Sequence, residues 1–223
     1  MVSVSVPMRI LYEDNHLIAV EKPHGQLTQA DESGDVSLLD EVKAFIKTRD
    51  QKPGNVFLGL LHRLDRPVGG VVLFAKTSKA ASRLSEQFRS RKVQKVYEAL
   101  VEGVPGNRRG YHAPLEGTVV QWLVKDTEKN IVTAYDHEVP GSQKAELDYR
   151  VIEEGKQSRV EIHPKTGRPH QIRVAMASLG TPIVGDFKYG AKTSFNGQVA
   201  LKAVSLTIEH PITKESLTIS LPK

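Results

Sequence analysis

The chain has 223 residues, 39% of them apolar and 26% charged, which is the composition of a globular protein and not of a disordered or fibrous one. It contains no cysteine, which excludes a disulfide scaffold, thiolate zinc sites, iron–sulfur clusters and cysteine nucleophiles. The formal net charge of +5 permits a polyanionic partner without requiring one.

No apolar run reaches the roughly 18 residues that a membrane span needs. Met1–Pro7 lacks the basic and apolar segments of a signal peptide. We therefore expect a cytoplasmic protein. Because no repeat, low-complexity tract or linker divides the sequence, we expect residues 1–223 to form one domain.

The first elements are a hairpin and a helix. Arg9–Tyr12 and Leu17–Val20 flank a turn sequence and predict two strands, the second of which ends before Pro23. A helix is then predicted by apolar residues at helical spacing behind Asp35 and Ser37 as possible caps: Leu39, Val42, Phe45 and Ile46.

A strand over Gly70–Lys76 leads into a second helix, which Thr77 or Ser78 caps. The core stripe of that helix is formed by Ala81, Leu84 and Phe88. Its other face and its exit carry five basic residues: Arg83, Arg89, Arg91, Lys92 and Lys95.

The second half of the chain is rich in predicted strands: Val93–Val101, Gln143–Ile152, Ser158–Ile162, Val199–Glu209 and Leu217–Leu221. A third helix is predicted from Pro169 to about Leu179, with Gly180 at its C′ position. About three helices set irregularly among strands favour a mixed α+β sheet over a doubly wound parallel one.

The segment His62–Gly70 concentrates functional side chains in a loop too constrained for a helix. Asp65 lies there between Arg63 and Arg66, so its carboxylate should keep a low pKa and stay ionised. Taken alone, this pattern is more often a salt bridge in a loop.

Two later segments also combine reactive residue types. Tyr97 follows Lys95 on the strand that leaves the basic helix, although a strand tyrosine is more often a packed ring than a catalyst. Lys165–Arg173 places polar side chains in the first turns of a helix, where free amides also favour anions and where the alternative is a solvated basic helix start: Arg168, His170, Gln171 and Arg173.

Together these segments resemble the RluA-type family of RNA pseudouridine synthases over almost the whole chain. The matching motifs follow the family's order: Ile10-Leu11-Tyr12-Glu13-Asp14, Lys22-Pro23-His24-Gly25, His62-Arg63-Leu64-Asp65, Phe74-Ala75-Lys76-Thr77, Lys95-Val96-Tyr97-Glu98-Ala99-Leu100, Thr166–Arg173 and Gly185–Gly190.

The resemblance implies an enzyme that converts uridine to pseudouridine in structured rRNA or tRNA without cofactor or metal. It implies the family's fold, a mostly antiparallel central sheet with flanking helices and two subdomains around an RNA-binding cleft. By the same resemblance, Asp65 is the nucleophile, Arg173 its ion-pair partner, and Tyr97 stacks on the uracil and assists removal of the C5 proton.

The target base must leave its stack before Asp65 can reach it, and the family assigns the vacated space to the arginine at position 63. The basic helix face would then follow RNA phosphates, unless it is only solvated. The residues expected to contact RNA are His62, Arg63, Arg66, Lys76, Arg83, Arg89, Lys95, Arg168, His170 and Gln171.

Three positions depart from the family pattern. Gly69 replaces a serine found in many members near the nucleophile, Ala175 a histidine after Arg173, and Lys202 the histidine of a Leu-His-Ala motif. These changes bear on RNA specificity rather than on the catalytic triad. Since the hairpin begins by about residue 9, we expect no N-terminal S4 RNA-binding domain, which is optional in the family. We also expect a monomer.

Three other interpretations fit parts of the sequence. Gly185–Thr193 nearly matches a P-loop, but Ala191 separates the glycine from the lysine. His163, His170 and Asp186 lack the spacing of a metal motif. The main alternative is a non-catalytic RNA-binding module or RNA chaperone on the same scaffold.

Overall fold

The computed structural model describes residues 8–106 and 115–222. Met1–Pro7, on which the signal-peptide prediction depends, lies outside them. The described helices are α1 (Leu38–Arg49), α2 (Ser78–Arg89), α3 (Gln171–Ser178) and a 3-10 helix, Phe187–Tyr189. The described strands are β1 (Ile10–Glu13), β2 (Leu17–Lys22), β3 (Gly59–Leu60), β4 (Gly69–Ala75), β5 (Gln94–Glu102), β6 (Glu116–Asp126), β7 (Ile131–Tyr135), β8 (Gln143–Glu153), β9 (Gln157–Pro164), β10 (Leu201–Glu209) and β11 (Ser216–Ser220).

The chain forms two compact units. Unit 1 comprises residues 8–93 and 205–222, and unit 2 comprises residues 94–106 and 115–204 among those described. The fold is α+β with a mostly antiparallel sheet, as predicted. The organisation of residues 1–223 as one domain with an RNA-binding cleft stays a prediction.

In unit 1, β1 pairs with β2, β2 and β3 pair with β4, and β10 pairs with β11, each time antiparallel. The β2–β4 register places Lys22 opposite Gly70. The start of β4 therefore lies beside the end of β2. A core of small and branched residues joins these strands to α2: Leu17, Ala19, Val71, Leu73, Ala75, Ala80, Leu84, Val93, Leu206, Ile208 and Ile219.

In unit 2 the antiparallel order is β5-β9-β8-β6-β7. Helix α3 covers one face of this sheet, where Val174 packs with Leu123, Val132 and Ala145. This packing fixes the helix that carries Arg173.

The helix caps are confirmed at Ser37 and Thr77, whose side chains accept hydrogen bonds from backbone N–H groups in the first turn. The buried stripes are shifted. Helix α1 buries Leu38 rather than Leu39, and α2 buries Ala80 where Ala81 was predicted as the first core residue. Each shift is one residue, within the uncertainty of a 100° pattern over a short helix.

Helix α3 begins at Gln171 and not at Pro169, so that prediction is wrong. His170 has a φ of 52°, in the left-handed region that an α-helix cannot contain. The end was predicted correctly, because Gly180 has a φ of 80° directly after the capping Leu179. The hairpin of β6 and β7 was not predicted.

Candidate active site

Asp65 lies on the connection from β3 to β4. The Val68 N–H donates to the Asp65 carbonyl oxygen at 2.9 Å, which closes a tight backbone turn that begins at Asp65. The preceding Leu64 is buried, and both its backbone groups are paired with Thr28: Thr28 Oγ1 donates to its carbonyl at 2.8 Å and accepts from its N–H at 3.2 Å. The backbone that carries Asp65 is therefore fixed on both sides.

Lys22 lies beneath this turn and is fully buried. Its Nζ donates to the carbonyl oxygens of Pro23, Gln26 and Arg66 at 3.0, 2.6 and 3.2 Å, which uses all three donors of the ammonium group. Burial lowers the pKa of Lys22 to about 8, although the nearby Asp65 carboxylate acts in the opposite direction. The sequence indicated Lys22 only as part of the Lys22-Pro23-His24-Gly25 motif, and no role was predicted for it.

Gly69 lies against the ring of His24. A Cβ atom at Gly69 would be 2.8 Å from both Cδ2 and Nε2 of that imidazole, closer than real side chains approach. The ring is held in place by a 2.8 Å hydrogen bond between its Nδ1 and the Pro67 carbonyl. The departure at Gly69 thus has a steric reason, because the ring of His24 occupies the space of a side chain.

The basic residues of the turn have different surroundings. His62 is fixed inside the unit, where its Nε2 accepts the Leu73 N–H at 3.1 Å and its ring stacks on Phe88 at 5.1 Å. Arg63 is exposed. Arg66 is also exposed, and its Nη2 donates to Asp35 at 2.6 Å.

In unit 2, Arg173 is buried together with Asp186. The guanidinium Nε and Nη2 donate to the two carboxylate oxygens of Asp186 at 2.7 Å each, a bidentate pair, and Nη1 lies outside this pair. The guanidinium also lies over the Tyr189 ring, 5.0 Å from its centre. Sequence reasoning missed the role of Asp186, for which an acidic residue in the glycine-bounded segment Gly185–Gly190 was the available signal.

Tyr189 links three elements of unit 2. Its hydroxyl accepts the Val132 N–H at 2.9 Å and shares a 2.7 Å hydrogen bond with Nδ1 of His170. His170 was expected to contact RNA, but only 8% of it is exposed. The hydroxyl therefore ties β7 and the start of α3 to the ring that covers Arg173.

Gln171 was also expected to contact RNA, yet it is buried and bonded within the protein. Its Oε1 accepts from the Thr166 hydroxyl at 2.6 Å and from the Arg168 N–H at 3.1 Å, and its Nε2 donates to the Glu146 carbonyl at 3.0 Å. These contacts support a structural role for Gln171. Arg168 is half-buried, and its Nε donates to the Lys144 carbonyl at 3.2 Å.

Tyr97 lies on β5, opposite Ile162 of β9. Lys95, two residues before it, shares its strand face. Lys95 thus lies on the strand that follows α2, as predicted, and it belongs to unit 2.

The other predicted basic residues lie in unit 1. Lys76 is half-buried and forms an ion pair with Glu13 at 2.6 Å, and Arg83 donates to the Pro211 carbonyl at 2.6 Å. Arg89 is exposed beside Glu86. Arg91 and Lys92 are exposed as well.

The remaining two departures lie in contrasting places. Ala175 is 1% exposed within α3, so a larger side chain there would have to displace its neighbours, whereas Lys202 is exposed on β10.

The metal and P-loop interpretations are not supported by the described residues. No group of three His, Asp or Glu residues there is arranged to hold a metal ion, since His170 and Asp186 contact Tyr189 and Arg173 while His163 is exposed. Phe187–Tyr189 is a single 3-10 turn and not the helix that follows a P-loop.

Among the described residues, no helix is both long and apolar enough to cross a membrane. The structure is similar to two human proteins, RNA Pseudouridylate Synthase Domain Containing 4 and Domain Containing 1. Their TM-scores are 0.78 and 0.73 at 24% and 23% identity, over 96% and 97% of this chain and 88% and 83% of theirs. At this identity the likeness establishes the fold.

The sequence is 38% identical to tRNA pseudouridine synthase C of Pasteurella multocida, over 95% of this chain and 90% of that protein. It is 32% identical to tRNA pseudouridine synthase C of Pectobacterium carotovorum, over 95% of this chain but 58% of the relative. It is 33% identical to ribosomal large subunit pseudouridine synthase C of Vibrio vulnificus, over 96% of this chain and 65% of the relative. The chain thus spans less than two thirds of the length of the last two.

A family model described as RNA pseudouridylate synthase matches residues 16–178. That range holds the Asp65 turn, Tyr97 and Arg173. Since the match covers most of the sequence and a relative is 38% identical over nearly all of it, the chain belongs to the RNA pseudouridylate synthase family, a family of isomerases.

Proposed function

We propose that the chain isomerises a specific uridine to pseudouridine in structured rRNA or tRNA, as a cytoplasmic monomer without a cofactor. In this reaction the bond between uracil N1 and ribose C1′ breaks, the base turns, and a bond forms between C5 and C1′. N1 takes up a proton and the hydrogen of C5 is released to solvent. Atoms and charge therefore balance without an oxidant or reductant.

Asp65 is the proposed nucleophile, Arg173 its charge partner and Tyr97 the ring against the uracil. The observation that carries this proposal is the fixed backbone of the Asp65 turn, because a nucleophile on a rigid turn loses little entropy in reaching its target. The orientation of Arg173 by Asp186 adds support, since a guanidinium held through Nε and Nη2 presents Nη1 in a set direction. Arg63, exposed beside the turn, is the proposed occupant of the space left by the flipped base.

RNA as substrate is consistent with the names of the relatives, which act on tRNA or on ribosomal large subunit RNA. The exposed cations Arg66, Arg89, Arg91 and Lys92 are the proposed phosphate contacts. His170 and Gln171 are proposed to support the site from within.

The test is release of tritium from tRNA and rRNA labelled at C5 of uridine, with wild type and Asp65→Asn side by side. We expect release by the wild type and at least a thousandfold less by Asp65→Asn, because the amide keeps the shape of the side chain but is not a nucleophile. Asp136→Asn is the matched control, since Asp136 is an exposed acid elsewhere in the chain. Equal release by Asp65→Asn would refute the assigned role, and RNA binding without release by any variant would favour the non-catalytic binding module.

A further inference from the structure

Lys95 differs from the other basic residues of the candidate site in its surroundings. On β5 it shares a face with Tyr97, Ala99 and Val101, and the last two are 2% and 0% exposed. Lys95 thus lies on the buried face of the strand, about 6.6 Å along it from Tyr97.

The ammonium group of Lys95 is poorly satisfied by the protein. Its Nζ donates to the Thr166 carbonyl at 3.4 Å, a long hydrogen bond, and no carboxylate among the described residues pairs with it. Burial lowers the pKa of Lys95 below its ordinary value. An ammonium has three donors, so this cation has capacity for a further acceptor.

Gly167 leaves one side of the ammonium uncovered. A Cβ atom at Gly167 would be 3.7 Å from Lys95 Nζ and would meet no other heavy atom within 4 Å. The backbone of the Thr166–Gly167 turn therefore lies beside the cation, and no side chain from Gly167 lies over it.

We propose that Lys95 binds a phosphodiester oxygen of the target nucleotide, the one whose uracil lies against Tyr97. This inference rests on the proposed function and specifies how the substrate is held. Lys22 is satisfied by three carbonyl oxygens, whereas Lys95 has one long hydrogen bond and is suited to bind an anion. The phosphate is the group of a uridine nucleotide that always carries charge. Lysine suits it, because a compact point charge needs no bidentate geometry.

The first test compares RNA that carries the mapped target uridine with RNA in which one flanking phosphate is a neutral methylphosphonate. For one of the two linkages, we expect the wild-type KM to rise about tenfold to a hundredfold, as for loss of a charged hydrogen bond. Lys95→Gln should show the raised KM on normal RNA and no further rise on the neutral linkage. Lys95→Arg should recover most of the affinity.

Lys47→Gln is the control, because Lys47 is exposed on α1 and has no part in the proposed site. It should respond to the neutral linkage as the wild type does. A Lys95→Gln variant with lowered kcat, unchanged KM and wild-type sensitivity to the methylphosphonate would overturn the proposal. It would indicate that Lys95 acts on the uracil and not on the phosphate.

The second test needs no turnover, so it separates failure of this inference from failure of the proposed function. The chain is labelled with ¹³C in its lysine side chains, and the Lys95 signal is assigned by its loss in Lys95→Gln. We expect uridine 3′,5′-bisphosphate to shift this signal and raise the pKa of Lys95, and uridine itself to do neither. An equal response to both compounds, or to neither, would refute the phosphate contact.

Discussion

Arg173 and Asp186 form a buried bidentate pair, with both nitrogen–oxygen distances at 2.7 Å. The guanidinium proposed to face the nucleophile is thus already neutralised and oriented by a second carboxylate. Asp186 is therefore a positioning residue, which acts through the direction that it gives to Arg173.

We predict that Asp186→Asn lowers the free energy of unfolding by about 3 kcal/mol, because it leaves a buried guanidinium without its counter-charge. The turnover number should fall more than RNA affinity does. Urea unfolding and single-turnover kinetics measure the two effects. Arg173→Lys should keep the charge yet lose much of the rate, since an ammonium cannot reproduce the two parallel hydrogen bonds. Unchanged stability and rate in Asp186→Asn would contradict the positioning role.

The contact between Gly69 and His24 predicts a compensating pair of substitutions. Gly69→Ala alone should destabilise the fold by about 1–3 kcal/mol, because its methyl group would overlap the imidazole. In the double variant with His24→Ala, much of that cost should disappear, since the ring is gone. A double-mutant cycle by urea unfolding gives the coupling. Additive effects would show that the ring moves aside without cost.

Lys22 predicts a rise of stability with pH. Its pKa is about 8 in the folded chain and 10.5 ordinarily, so between these values the unfolded chain holds a proton that the folded chain has released. Stability then increases with pH across this window, by about 3 kcal/mol at most, and the cost of the buried charge is fully present below pH 8.

The measurement is urea unfolding of wild type and Lys22→Met from pH 7 to pH 10. The variant should be less stable at pH 7, because the Pro23, Gln26 and Arg66 carbonyls lose their donor. The free-energy difference between the two proteins should widen in favour of the wild type above pH 8. A difference that does not change with pH would refute a depressed pKa for Lys22.

Gln171 and Lys92 predict opposite results in RNA binding and stability. Gln171→Ala should cost about 2 kcal/mol of stability, because it removes the three hydrogen bonds of this buried side chain, and it should leave the salt dependence of RNA binding unchanged. Lys92→Gln should leave stability unchanged and reduce the slope of log K against log salt by roughly 0.7–0.9, as for one lost phosphate contact. If Gln171→Ala instead reduced the salt slope and left stability unchanged, Gln171 would have to contact RNA.

The parts of the fold predicted from sequence are those with strong local signals. Ser37 and Thr77 each stood among two candidate caps, and Gly180 was predicted at the end of α3, because caps depend on residues close in sequence. Strand β6 was missed because Val119–Val120 and Trp122–Val124 place apolar residues on both faces, which removes the alternation.

The site was predictable as a set of residue types but not as an arrangement. The motif that contains Asp65 resembles a known catalytic loop, whereas the pairing of Arg173 with Asp186 joins residues from separate segments. His170 likewise has a left-handed φ and shares a hydrogen bond with Tyr189, a residue distant in sequence.

The arrangement of unit 1 along the sequence determines when it can fold during synthesis on the ribosome. Its core needs Leu206, Ile208 and Ile219, and Asp14 in the first hairpin bonds to His210 at 2.8 Å, so unit 1 cannot close until those late residues have emerged. Unit 2 is continuous in sequence, and the antiparallel pairs among β5, β9, β8, β6 and β7 are complete once residue 164 is made. During synthesis, unit 2 can therefore fold before unit 1, although it begins later in the sequence. Strands β1 and β2 are made first, but the core of unit 1 is completed only when β10 and β11 have been made.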